Sequence, residues 1–181
     1  SEQLKSFGLK ADSAICGLYD IPNRIPEILA AAEALGTDVV RTDSIKPEDR
    51  TTADGYHRAA EHLNRCGKAL FEEGKKFMYH FHSFEFVKLQ NTRGIDILLS
   101  ETNPRYVMFQ PDVFWLTAAG EEPSKALKMF EGRAKYMHLK DYVIVPQSSR
   151  KLEETKRASA PVGTGNLNWD GILKTARKIG I

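Results

Sequence analysis

Two imidazoles and a carboxylate fall within one short aromatic run, Tyr79-His80-Phe81-His82-Ser83-Phe84-Glu85-Phe86. Lys75-Lys76 before it and Asn91-Thr92-Arg93-Gly94 after it are polar brackets, so the run reads as a strand, Phe77 to His82, entering a loop. Side chains two apart on a strand share a face, which points His80 and His82 the same way. Further along, Asp112 follows Gln110-Pro111. Proline cannot donate to a sheet ladder, so that strand should end there and free the carboxylate to reach its edge. His138 and Lys140 share a face on Lys135-Tyr136-Met137-His138-Leu139-Lys140-Asp141. A lysine on an inward face is costly to bury, which makes Lys140 a partner for substrate or charge.

His80, Asp112 and His138, with Glu85 nearby, form a donor set suited to Mn²⁺, Co²⁺, Fe²⁺, Zn²⁺ or Mg²⁺. No thiolate is positioned to select zinc. Such an ion polarises a sugar carbonyl or chelates a vicinal hydroxyl–carbonyl pair. The adjacent C–H then becomes acidic enough for a nearby carboxylate or imidazole to take its proton. Trp115 offers an apolar wall to a sugar face, whereas Phe114 reads as core. Each donor also has a plainer role: a strand histidine satisfied by backbone, an aspartate capping a helix or turn. Asp141 reads as pairing with a neighbour or capping a turn.

The elements that must hold these side chains alternate along the chain. Strands are expected over 9–16, 38–42, 77–82, 106–112 and 135–140. Helices are expected over 25–35, ended by Gly36, over 53–73, ended by Gly74, and over 95–100, 123–131 and 169–178. Strand starts about thirty residues apart suit right-handed βαβ crossovers and a parallel sheet. No Gly-x-Gly-x-x-Gly follows the first strand, which weighs against a dinucleotide-binding sheet. The connection from Asp141 to Leu167 is long for a compact domain. It carries the charged run Arg150-Lys151-Leu152-Glu153-Glu154-Thr155-Lys156-Arg157, and its place after a donor-bearing strand suggests a substrate-covering loop.

Composition narrows the setting. The 181 residues, 41% hydrophobic and 28% charged, suit one globular domain. A net charge of +2 carries no basic bias of the kind nucleic acid or an anionic membrane would demand. No apolar run is long enough to span a bilayer, and Ser1-Glu2-Gln3-Leu4-Lys5 does not read as a signal peptide, so the cytoplasm is the expected location. Cys16 and Cys66 match no zinc or redox spacing and read as buried or half-buried thiols.

Four segments, in order, resemble the sugar phosphate isomerase/epimerase family of xylose-isomerase-like, metal-dependent TIM barrels. They are Tyr79 to Phe86, Asp112-Val113-Phe114-Trp115-Leu116-Thr117-Ala118-Ala119-Gly120, His138-Leu139-Lys140-Asp141, and Val162-Gly163-Thr164-Gly165-Asn166-Leu167-Asn168-Trp169. The resemblance implies an α/β fold, a partial (β/α) TIM barrel of about five parallel strands spanning 1–181 as one incomplete domain. The first two βα units and the eighth strand, with its glutamate donor, would be lacking. Phe81 and Ser83 replace the family's Asn and Asp. The implied metal ligands are Asp112, His138 and His80, with Glu85 as the acidic alternative on the fifth strand. His82, Glu85 and Lys140 would act on substrate and Trp115 would bind it.

The implied activity is divalent-metal-dependent isomerisation or epimerisation of a sugar or sugar phosphate through an enediolate. The alternatives are a 3-keto-sugar lyase or dehydratase, and a catalytically impaired sugar-binding or assembly protein of the same fold. The partner is a small sugar, with neither nucleic acid nor membrane. Open sheet edges point to completion by association into a homo-oligomer or by an exchanged element. The sequence leaves phosphorylation of the sugar open, with Gly163-Thr164-Gly165 a candidate phosphate cradle.

Overall fold

The computed structural model of the chain describes residues 2–146 and 156–181, which fall into two compact units, Ser1–Gln110 and Pro111–Ile181. The first unit runs α1 (Glu2–Ser6), β1 (Ala14–Ile15), α2 (Ile25–Leu35), β2 (Val39–Thr42), α3 (Ala53–Glu72), β3 (Lys76–His80), a small hairpin of β4 (Lys88–Leu89) and β5 (Thr92–Arg93), α4 (Gly94–Glu101) and β6 (Val107–Gln110). Thr52 opens α3 by accepting a hydrogen bond from the Gly55 N–H at 3.1 Å, which satisfies one of the helix's orphan donors. Tyr56, Ala59, Ala60, Leu63, Cys66, Gly67 and Leu70 recur at helical spacing and are all buried. Burying a leucine such as Leu63 or Leu70 contributes about 2 kcal/mol. Gly67 lets the helix lie close: a Cβ there would stand 2.6 Å from the Tyr106 carbonyl oxygen.

Strands β1, β2, β3 and β6 form one parallel sheet in that order. Val40, Phe77 and Val107 stand in register, as do Thr42, Tyr79 and Phe109, and this face packs under α3. The alternate residues Ile15, Arg41, Met78, His80, Met108 and Gln110 occupy the opposite face. Parallel strands alternating with helices match the expected α/β fold.

The second unit holds α5 (Val113–Ala118), α6 (Pro123–Ala126) continued by a 3₁₀ turn over Leu127–Phe130, β7 (Asp141–Ile144), β8 (Arg157–Ala160) and α7 (Trp169–Ile179). Its core is Val113, Leu116, Leu127, Phe130, Ile172 and Ala176. Asn168 caps α7 by accepting from the Gly171 N–H at 3.1 Å.

Two expectations need correction here. Residues 135–140 form no ladder; they make a single parallel bridge, His138 to Asp112. Gly132 turns the chain just before at φ 72°, and Leu139 is 49% exposed, so the alternation that suggested a strand is not buried on either side. The connection from Asp141 onward is an antiparallel ribbon, with Tyr142 opposite Ser159 and Ile144 opposite Arg157. Arg150 to Thr155 of the charged run, and with them the middle of the covering loop expected there, lie outside the described residues. Among the described residues no helix is long and apolar enough to cross a membrane. Cys16 is half-buried and Cys66 buried, both free, with burial pushing their thiols up to about 11 and about 12.

Candidate functional site

In the first unit, β3 ends on His80, which is 5% exposed, and the chain turns beyond it. The His80 ring meets His82 edge to face at 4.8 Å, and His82 stacks on Phe84 at 5.6 Å. A short 3₁₀ turn, Phe84–Phe86, folds Glu85 beneath this pair. The Tyr79 hydroxyl donates to Glu85 Oε1, and the His82 backbone N–H donates to Oε2 at 2.9 Å. Glu85 is fully buried. Burial pushes its carboxyl up to about 7, against the pull of the Tyr79 and His82 hydrogen bonds and of Arg50. The Tyr79 phenol is also driven well above its ordinary value, by burial first and by the Glu85 charge second. Tyr56 braces the same turn by donating to the Phe84 carbonyl at 2.8 Å.

Glu85 was expected to face substrate or to be the alternative metal donor. Both of its oxygens are instead engaged inside the protein, where they hold the Tyr79–His82 segment in shape. The reason is local: the 3₁₀ turn after β3 directs residue 85 back under the strand end. His82 does remain half-buried at the surface of that segment.

In the second unit, Asp112 is 1% exposed and does two jobs. Its Oδ1 caps α5, accepting from the N–H groups of Phe114 (2.9 Å) and Trp115 (3.2 Å). Its Oδ2 faces His138 Nδ1 at 3.3 Å. His138 is held in place by its backbone N–H, which donates to the Pro111 carbonyl at 2.8 Å. The capping role read from the sequence and the donor role therefore fall on different oxygens of one carboxylate. Lys140 places its ammonium 4.3 Å from the Phe114 ring centroid and 5.0 Å from that of Trp115, a cation–π arrangement that gathers Lys140 and Trp115 together. Phe114, expected in the core, is half-buried and packs edgewise on Trp115 and Tyr142.

Asp141 does more than a turn cap. It accepts from the N–H groups of Tyr142 (2.8 Å), Gly163 (3.0 Å), Gly165 (2.9 Å) and Leu167 (3.4 Å), and from the Trp169 indole (2.6 Å). Burial would raise its carboxyl, but the Trp169 and backbone hydrogen bonds outweigh that and hold it below the usual carboxylate range. A Cβ on Gly165 would collide with this carboxylate. The glycine loop weighed as a phosphate cradle is thus occupied by the protein's own anion.

Two features escaped the sequence reading. One is the Asp141 hub, four of whose five donors sit more than twenty residues away. The other is Arg41, buried on the sheet face that carries His80, whose Nη1 donates to Gln110 Oε1 at 3.1 Å. A cation inside the β-branched strand Val39-Val40-Arg41-Thr42 was its available signal.

The fold has counterparts among known proteins. The chain belongs to the xylose isomerase-like TIM barrel family, whose model matches residues 23–181. It is 37% identical over 127 residues to the inosose dehydratase of Clostridium perfringens (strain 13 / Type A), a match covering 64% of this chain and 40% of that protein. The chain thus spans less than half the length of the curated relatives it matches. Among solved structures, a sugar phosphate isomerase/epimerase from Parabacteroides distasonis ATCC 8503 superposes with a TM-score of 0.74 at 23% identity, covering 99% of this chain and 63% of that one. The IOLI protein, solved with a bound zinc atom, superposes with a TM-score of 0.69 at 15% identity, covering 99% of this chain and 68% of that one. Likeness at these identities shows the shared fold.

Proposed function

We propose that this chain is part of a divalent-metal-dependent dehydratase acting on a keto-sugar or keto-inositol, with His80, Asp112 and His138 as donors to the ion. The carrying observation is the Asp112–His138 pair. Asp112 Oδ2 and His138 Nδ1 are separated by 3.3 Å, close enough that both would reach one divalent ion. The carboxylate's other oxygen is committed to the α5 cap, so the side chain is fixed before any ion arrives. Oxygen and imidazole donors without thiolate suit Mn²⁺, Co²⁺, Fe²⁺, Mg²⁺ or Zn²⁺. Bound there, the ion supplies Lewis acidity to a substrate carbonyl.

The chain's own residues then divide the proton work. His82 takes the proton from the carbon next to the carbonyl, and the Lys140 ammonium protonates the departing hydroxyl so that water leaves. Trp115 packs an apolar sugar face. Glu85 acts on the site by fixing the His82 backbone, not on the substrate. The substrate class comes from the relatives named inosose dehydratase, which favour elimination over the isomerisation read first from the sequence. Isomerisation or epimerisation shares the same proton abstraction and is kept as the second reading, because a sugar phosphate isomerase/epimerase shares the fold. The cytoplasm remains the proposed location, and a homo-oligomer the proposed assembly.

Calorimetry with Mn²⁺ and Co²⁺, followed by incubation with inosose and mass detection of water loss, tests this reading. The wild-type chain should bind the ion at micromolar concentration and His138→Ala should lose at least about tenfold in affinity. Product of unchanged mass would favour isomerisation. Sugar binding without turnover would favour an impaired binding protein, and failure to bind either ion would sink the metal site.

A further inference from the structure

A parallel sheet offers ligands the C-terminal ends of its strands, and three polar side chains collect there in the first unit. His80 and Gln110 are the last residues of β3 and β6 and stand opposite each other, while Arg41 is next to last on β2. By strand alternation all three share one face, and they are 5%, 1% and 9% exposed. Arg41 is in register with Met78, not with Gln110, yet its Nη1 reaches Gln110 Oε1 at 3.1 Å. The guanidinium therefore crosses β3 diagonally beside His80. A sheet face with no work to do would be better served by apolar side chains, since burying a guanidinium is costly even when it is paired.

The contact also fixes the glutamine. A guanidinium only donates, so the atom Gln110 turns to Arg41 is its oxygen, and a flipped amide would set donor against donor. The Nε2 hydrogens are thereby confined to the other branch of the amide. We infer that Gln110 recognises the substrate by donating from Nε2 to a hydroxyl or carbonyl oxygen beside His80, and that Arg41 is a positioning residue acting through Gln110. This rests on the keto-sugar dehydratase reading and adds to it a group that reads one oxygen. Sites built to hydrogen-bond a substrate hydroxyl reject analogues lacking it far more strongly than apolar pockets reject a missing methylene.

Calorimetric titration of inosose into the Mn²⁺-loaded chain tests this, with Gln110→Met, Gln110→Glu and Arg41→Met beside the wild type. Both Gln110 variants should weaken inosose binding about tenfold, with Mn²⁺ binding no weaker than in the wild type. Arg41→Met should weaken inosose binding severalfold alone and add little on top of Gln110→Met, because its effect passes through the same amide. Gln110→Glu keeps an acceptor for Arg41 and decides the matter if Gln110→Met fails to fold. Unchanged inosose affinity in the Gln110 variants overturns the inference and leaves the dehydratase reading standing. Full additivity of Arg41→Met and Gln110→Met overturns the positioning role. No inosose binding by the Mn²⁺-loaded wild type overturns both readings.

Discussion

Glu85 in the first unit and Asp141 in the second are both carboxylates almost wholly removed from solvent, at 0% and 1% exposure, yet their acidities move in opposite directions. Glu85 is pushed up to about 7, while Asp141 is held below the ordinary carboxylate range. Depth of burial and the number of donors separate them. Glu85 has the Tyr79 hydroxyl and the His82 N–H on its two oxygens, whereas Asp141 gathers four backbone N–H groups and an indole. Burial disfavours the anion far more strongly at Glu85, deep beneath the strand end, and at Asp141 the shell of donors outweighs a smaller penalty. The first carboxyl shapes a strand end at some cost at neutral pH. The second is an anion around which a loop and the start of a helix are organised.

The largest test of that contrast is Asp141→Ala, which strands the N–H groups of Gly163 and Gly165 and the Trp169 indole at once. Hydrogen bonds to a charged acceptor contribute about 1.5–3 kcal/mol each but do not add fully, so a loss of about 4 kcal/mol in urea unfolding is expected. Faster amide exchange at Gly163 and Gly165 should accompany it. A loss under about 1 kcal/mol would mean that Asp141 fills the loop without holding it.

Next in size is the pH dependence of Glu85. The unfolded carboxyl releases its proton near the model value of 4.5 and the folded one near 7, so between those values the folded state binds the extra proton. Its contribution to stability is therefore complete below about 4.5 and is lost as pH rises through about 7, a swing of about 3 kcal/mol. Asp141 has the opposite sign: its folded acidity lies below the model value of 3.8, so its contribution is present above that value and is lost on acidification. Metal-free wild type should be less stable at pH 8 than at pH 5, and Glu85→Gln should flatten that slope. An equally steep slope in Glu85→Gln would assign it to another group.

The same contrast explains what the sequence could reveal. Alternation and helical spacing marked β2, α3, β3, β6 and α7 because each depends on local period and on caps such as Thr52 and Asn168. The segment Tyr136 to Lys140 showed the same alternation without a buried face to enforce it, and it became one bridge. His80, Asp112, His138, Lys140 and Trp115 were visible by type and spacing. The turn of Glu85 beneath β3 was not, because a 3₁₀ turn over Phe84–Phe86 leaves little mark in composition. Asp141 read as an ordinary cap because all its donors but the Tyr142 N–H arrive from Gly163 to Trp169, and Arg41 went unread because its acceptor lies sixty-nine residues away on Gln110.

Removing one donor from each carboxylate gives the finest comparison and the smallest effects. Tyr79→Phe takes from Glu85 the Tyr79 hydroxyl, so its acidity should weaken further and the loss of stability with pH, which still begins near the unfolded value of 4.5, should run on to a higher pH. At pH 5, where the carboxyl is protonated in the folded state, the variant should lose about 1 kcal/mol, and at pH 8 about 2 kcal/mol. Trp169→Phe removes one donor of the five on Asp141 and leaves the backbone N–H groups in place. About 1 kcal/mol should be lost, equally at both pH values, because the aspartate stays ionised across that range. Urea unfolding of both variants at pH 5 and pH 8 measures all four numbers. A pH-dependent loss in Trp169→Phe matching that of Tyr79→Phe would show that the backbone donors cannot hold Asp141 charged alone, and would shift the weight of the hub onto the indole.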